Sequence, residues 1–243
     1  MIEVNKLSKE FKNIKAVMEI SFSVNKGEIV GLLGENGAGK TTTLRMLATM
    51  LEPTTGTAFI NGLNVVKDGQ KVRESIGILF GGEVGLYDRL TALENITYFA
   101  ELNGMNKEQI QNRIIELSDL LDMKEYINKR VGKFSRGMKQ KVAIARAIVH
   151  DPSIMLLDEP TAGLDVTASR IVQKFIKKCK EDNKAIIFSS HSMNEVEKLC
   201  DRIVIIHKGG IVEQGSIKYL KTKYKNDNME EIFMNLVGDN IEK

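Results

Sequence analysis

Two short stretches carry the residue types that handle phosphate. The first is Gly34-x-x-x-x-Gly39-Lys40-Thr41, inside GLLGENGAGKTT, which follows an apolar run and precedes a helix-like pattern. In that strand–loop–helix setting the glycines let backbone N–H groups wrap a β-phosphate. Lys40 reaches the β/γ-phosphates as a mobile point charge, and Thr41 offers a hydroxyl to Mg²⁺. A purely structural turn explains the glycines but not Lys40-Thr41 at this spacing. The second stretch, IMLLDEP, ends an apolar run with Asp158 and Glu159. Ligands of open α/β sheets gather outside the carboxyl ends of strands, where both carboxylates fall. Asp158 suits Mg²⁺, and Glu159 suits a base or orienter for water attacking phosphorus. The chemistry expected is phosphoryl transfer to water.

A second anion site follows from FSRGMKQKVAIARA. Met138, Val142, Ala145 and Ile148 recur at helical steps and share one apolar face. Ser135 is a good N-cap, and Gly137 lets the backbone come close to a ligand. Free N–H groups and the helix dipole favour an anion there, and the adjacent Arg136 suits a phosphate.

Strands and helices must hold these groups. EVNKL and EISFSV alternate as half-buried strands do, and KGEIVGLLG is a buried run ending in glycine. A helix is expected from Lys40 to Leu51, stopped by Pro53 and the turn PTTG. TAFING reads as strand and turn, and IGILF as a buried strand. A long helical stretch comes next. Thr91 and Glu94 form a capping box, Gly104 ends that helix, and Asn106 opens another carrying Ile110, Ile114, Leu117 and Leu121. IMLLD, AIIFSS and RIVIIH then read as strands buried on both faces. Helices from Asp165 and from Ser192, the latter capped by Glu195, separate them. A last helix is expected from Met229 to Leu236.

Composition narrows the classes. The 42% hydrophobic and 28% charged content is that of a globular protein. No uncharged apolar run approaches the ~18 residues of a membrane span, and the N-terminal stretch has no apolar leader pattern, so the cytoplasm is expected. A net charge of +3 gives no reason to expect nucleic acid. The basic run KYLKTKYKNDN reads as solvated surface. Cys179 and Cys200 fit neither a disulfide framework nor a metal cluster, and Cys200 reads as a buried hydrophobe beside Met193, Val196 and Leu199. His150 and His207 read as structural.

With these residues placed, the chain resembles the ATPase subunits of ATP-binding cassette (ABC) transporters from residue 1 to about 220, in the family's order. FSRGM stands where the family has its Leu-Ser-Gly-Gly-Gln signature, AGLD at 162–165 for the D-loop, and SSH for the switch histidine. The resemblance implies an α/β cassette with a phosphate-loop NTPase, RecA-like core. It also implies an N-terminal antiparallel β subdomain and a helical subdomain inserted at about 85–150. Residues 221–243 are left as a C-terminal extension. It implies ATP and Mg²⁺ as cofactors. Gly34, Glu35, Asn36, Gly37, Ala38 and Gly39 would line the phosphates, with Thr42 beside the α-phosphate and Phe11 stacking on adenine. His191 would contact the γ-phosphate and hold water in line with Glu159. Two cassettes in this family pair head to tail. Ser135, Arg136, Gly137, Met138 and Asp165 would therefore meet the nucleotide of another copy, which explains two anion sites in one chain.

Three positions depart from the pattern. Gly81 stands where the family has a glutamine that contacts Mg²⁺, with Glu83 the only polar substitute nearby. Arg136 replaces a signature glycine, and Met138 a glutamine. The lack of spans implies a separate integral-membrane permease subunit. LYDRLTALENITYF resembles the exporter branch, and ILFGGEVGLYDRLT with GENGAGKTTTLRMLATML is most similar to bacterial sodium-export subunits. Export of drugs or polysaccharide is the alternative within that branch. A soluble cassette ATPase acting on ribosomes or DNA is the rival from another class, weakened by the single cassette and the absence of heptads.

Overall fold

The computed structural model describes residues 1–80 and 85–238. β1 (Ile2–Phe11) and β2 (Ile14–Val24) form a hairpin, extended by β4 (Thr55–Ile60) and β5 (Leu63–Asn64) into an antiparallel sheet of order β2-β1-β4-β5. The second sheet has the order β10-β9-β3-β8-β7-β6. It comprises β3 (Ile29–Leu33), β6 (Ile76–Leu79), β7 (Ile154–Asp158), β8 (Ala185–Ser189) and β9 (Arg202–His207), all parallel, and β10 (Gly210–Ser216), antiparallel to β9.

Every residue of β3, β7 and β8 is buried, because both faces of this sheet are covered. The period-2 alternation of strands divides their side chains between two cores. Val30, Leu32, Leu156 and Ile187 face helix α1 (Lys40–Leu47) and the antiparallel sheet, packing with Leu44, Leu47, Ala58 and Ile60. Leu33, Leu157, Ile186 and Phe188 face the helical side. There they meet α3 (Ala92–Leu102), α4 (Lys107–Leu120), α5 (Arg136–Ile148) and α6 (Val166–Glu181) through Ile96, Leu117, Val142 and Phe175. The short α2 (Gly69–Ser75) leads into β6. At the C-terminal side, α7 (Met193–Leu199), α8 (Ile217–Tyr224) and α9 (Met229–Val237) complete the layer.

The antiparallel sheet, the parallel core and the helical stretch agree with the expected fold class. Capping boxes form at Thr91–Glu94 and Asn106–Gln109, and Asn103 and Gly104 (φ +75°) close α3. Three details differ. Helix α1 ends at Leu47 rather than Leu51, because Thr49 takes a left-handed conformation (φ +59°) and Met50 N–H turns back to the Arg45 carbonyl. Ser192 makes no side-chain cap on α7, and the Glu195 carboxylate expected to bond back to it is instead taken by Ser190 and Gln173. Met138 is only half-buried, one turn before the part of α5 that packs fully. Gly81 and Glu83, named as the departure from the family glutamine, lie outside the described residues. No described helix is long and apolar enough to cross a membrane.

Candidate functional site

The parallel order of β3, β7 and β8 brings the phosphate loop, Asp158-Glu159 and Ser189-Ser190-His191 to one edge of the sheet. The loop leaves β3 at Gly34, where a Cβ would stand 2.3 Å from the Ile206 carbonyl oxygen. It enters α1 at Gly39, left-handed at φ +112°, where a Cβ would stand 2.6 Å from the Ala16 carbonyl. Only glycine fits either position. No side chain caps α1, so the amides of its first turn face the loop. Asn36 and Gly37 are exposed, while Ala38 is buried and its carbonyl accepts from Gly209 N–H.

Lys40 is buried, and its Nζ donates to the carbonyls of Gly34 (2.6 Å) and Glu35 (3.0 Å). Burial lowers its pKa from the ordinary lysine value, while Glu159, Asp158 and Glu35 pull it back up. This is a cation held inside a ring of carbonyls and carboxylates, able to exchange them for phosphate oxygens. Thr41 Oγ1 donates to Asp158 Oδ2 at 2.8 Å. Thr42, beside it, is half-buried on α1.

Glu159 stands just past β7 with φ +47°, a left-handed conformation that costs a non-glycine residue about 1–3 kcal/mol. Its N–H bonds both the carbonyl and the hydroxyl of Ser189. Its Oε1 lies 3.3 Å from Nδ1 of His191, whose side chain is 68% exposed. A cavity of 200 Å³ is lined by Glu159, Thr161, Ala162, Gly163, His191 and Glu195, among others. A second, of 390 Å³, is lined by Gly34, Glu35, Asn36, Glu159, His191 and Phe233. Phe233 comes from α9, and sequence reasoning gave no sign that the C-terminal helix would reach this pocket.

Phe11 ends β1 with 44% of its surface exposed, and Lys9 Nζ lies 5.2 Å from the ring centroid. It is available as a platform and is not packed beneath the sheets. Ser135 caps α5 by accepting from Met138 N–H at 3.3 Å. Gly137 is where α5 approaches α6, since a Cβ there would meet that of Ala168 at 3.1 Å. The Arg136 guanidinium occupies the space over Gly163, in the same chain's AGLD turn. Asp165 caps α6, accepting from Ala168 N–H at 2.8 Å. Contacts of Gly137 with Ala168 and of Arg136 with Gly163 thus bring the start of α5 against the AGLD turn and the start of α6.

The remaining titratable groups fall where packing puts them. His150 Nε2 donates to the Ile76 carbonyl at 3.1 Å, and burial lowers its pKa. His207, read as structural, also stands 3.5 Å from the Glu35 carboxylate at the phosphate loop. Burial pushes the Cys179 thiol up to about 12 and raises Cys200 as well, so neither is a nucleophile at neutral pH.

The family model described as ABC transporter matches residues 17–162, from β2 through the phosphate loop and α5 to the carboxylates. This chain belongs to the ABC transporter family. It is therefore an ABC ATPase, a subunit whose ATP hydrolysis powers transport. The ABC transporter ATP-binding protein NatA of Bacillus subtilis is 49% identical over 96% of this chain and 97% of its own length. The bacitracin transport ATP-binding protein BcrA of Bacillus licheniformis is 40% identical, over 92% of this chain and 72% of its own. Among solved structures, an ATP-binding subunit of an ABC transporter superposes with a TM-score of 0.90 at 28% identity, covering 97% of this chain and 99% of that one. A dimeric ATP-binding cassette in a post-hydrolysis state, bound to ADP and Pi, gives 0.81 at 27% identity over 89% and 98%. The ABC fold is thus present from β1 to the C-terminal helices.

Proposed function

We propose that this ABC ATPase drives sodium export through a separate integral-membrane permease, working at the cytoplasmic face of the membrane as a homodimer closed around ATP. The observation that carries the reading is the near full-length match to NatA, in line with the resemblance of ILFGGEVGLYDRLT to sodium-export subunits. Residues 1–220 act as one cassette, with the insertion at 85–150 and an extension from 221.

In this reading ATP sits on the loop from Gly34 to Gly39, with Lys40 against the β- and γ-phosphates, Thr42 near the α-phosphate and Phe11 under the adenine. Mg²⁺ suits the donor set, since Thr41 Oγ1 and Asp158 Oδ2 are hard oxygens 2.8 Å apart. Among the described residues no group of three or more His, Cys, Asp or Glu could hold a metal alone. Phosphate and water would fill the other positions, as is usual for this ion. Held by Thr41 and Asp158, such an ion would supply charge neutralisation at the β- and γ-phosphate oxygens. Glu159 takes the proton of the attacking water, and His191 holds that water in line. Ser135 and Gly137 of one copy meet the γ-phosphate held by the other, since a capped helix start with free N–H groups and a glycine suits an anion.

A second reading, export of a peptide antibiotic, is favoured by the match to BcrA. Cross-linking and pull-down of a tagged Glu159→Gln chain from its native membranes, with ATP, should recover a multi-span partner in stoichiometric amount. Ribosomal or nucleic-acid material in its place would overturn the transporter assembly. With the partner in hand, ATP-driven uptake of radioactive sodium into inverted vesicles supports sodium export. No sodium flux, with bacitracin resistance conferred on a sensitive host, supports the second reading.

A further inference from the structure

Ser189 ends the central strand β8 and Ser190 follows it, and period-2 alternation carried on past the strand end sends their hydroxyls to opposite faces of the sheet. Ser190 donates to Glu195 Oε2 at 3.0 Å, and Gln173 Nε2 on α6 donates to the other oxygen at 3.0 Å. Ser190 thus ties the turn before His191 to the helical layer. Ser189 points the other way, toward α1, and is fully buried. Its Cα is paired in register with Asp158 on β7 and with Leu32 on β3. Its hydroxyl hydrogen goes to Asp158 Oδ1 at 2.5 Å, and its oxygen accepts the Glu159 N–H at 3.0 Å.

We propose that Ser189 is a positioning residue of the ATPase reaction, holding the Asp158 carboxylate and the Glu159 backbone in their working orientation. The proposal rests on the roles given above to Asp158 and Glu159. A serine hydroxyl has one hydrogen to give and lone pairs to accept with, and both capacities are used here on the two acidic residues. The Asp158 carboxylate is held at each oxygen by a hydroxyl, Thr41 at Oδ2 and Ser189 at Oδ1. Thr41 is itself a candidate ligand for Mg²⁺, which leaves the Ser189 hydrogen as the one donated to Asp158 with no other demand on it. At Glu159 the need is different. The left-handed backbone (φ +47°) is uphill for glutamate and persists only where its surroundings over-determine it. The bond from Glu159 N–H to Ser189 Oγ supplies that constraint beside the weaker 3.2 Å bond to the Ser189 carbonyl. Alanine keeps the strand and the carbonyl bond but removes both hydroxyl contacts.

The test compares the full-length Ser189→Ala chain with the unaltered one. Losing one charge-assisted hydrogen bond and the hold on the base should lower kcat about tenfold or more. ATP affinity in EDTA, which reads the phosphate loop without the ion, should stay within about twofold. The tightening of nucleotide binding on adding Mg²⁺ should shrink. A kcat within about twofold of the unaltered chain would overturn the proposal. So would a fall in EDTA affinity parallel to the fall in kcat, which marks general damage to the site. Glu159→Gln, assayed alongside, separates the two claims. If it is inactive while Ser189→Ala turns over normally, only the role of Ser189 fails; if it too turns over normally, the role of Glu159 fails first.

Discussion

The imidazole Nδ1 of His191 stands 3.3 Å from Oε1 of Glu159, although they lie 32 positions apart in the chain. One residue follows β7 and the other follows β8, so the neighbouring parallel strands deliver both to the same cavity. Glu159 is 29% exposed there and can reach a water at the mouth of the pocket. Exchanging its carboxylate for an amide keeps the shape and removes the base. Glu159→Gln should hydrolyse ATP at least about a hundredfold more slowly while still binding it. Gel filtration with ATP should then show an accumulated dimer. Near-normal turnover would take Glu159 out of the role of base.

Lys40 gives a complementary expectation. Its ammonium is buried and bonded to the Gly34 and Glu35 carbonyls, so the loop is shaped around a cation. Lys40→Ala removes a charge-assisted contact to phosphate, and ATP affinity should fall about tenfold to a hundredfold. Equilibrium binding in EDTA checks this directly. An unchanged Kd would mean that the amides at the start of α1 suffice.

Phe11, proposed to lie under the adenine, is an exposed ring at the tip of a hairpin, with Lys9 near its face. Aromatic–base stacking contributes about 1–3 kcal/mol where it has been measured by alanine substitution. Phe11→Ala should therefore raise the Kd for ATP with little change in kcat at saturating nucleotide. Equal affinity for ATP and for a triphosphate lacking the base would remove the ring from the site.

The phosphate loop, Asp158 and Glu159 are legible in the sequence because phosphate chemistry fixes both residue type and spacing within one loop. The capped start of α5 is legible for a similar reason, since Ser135 and its apolar face obey local helix rules. Ser189 was not legible. Its meaning depends on the β7–β8 register, which no spacing within either strand encodes. The Arg136 guanidinium lies over Gly163 of the same chain, a tertiary contact that no local spacing encodes. Phe233 was not legible because its place at the pocket depends on the packing of α9 against α7, α8 and β10. The early end of α1 turns on the left-handed backbone at Thr49, a residue with no intrinsic preference for it.

His150 links packing to pH. Its Nε2 must carry the hydrogen, since the Ile76 carbonyl can only accept, and its Nδ1 is buried without a partner. The ring is therefore held neutral, and burial lowers its pKa from the ordinary value of 6.5 despite the opposing pull of the Ile76 carbonyl and Asp151. A depressed histidine pKa means that the unfolded chain binds more protons than the folded one between the two values. Stability from this residue is fully present above the unfolded pKa near 6.5 and declines as pH falls below it. His150→Gln cannot titrate. Urea unfolding across pH 5 to 8 should show the unaltered chain losing more stability than the variant on the acid side. Parallel curves would show that His150 charges as easily inside the fold as outside it.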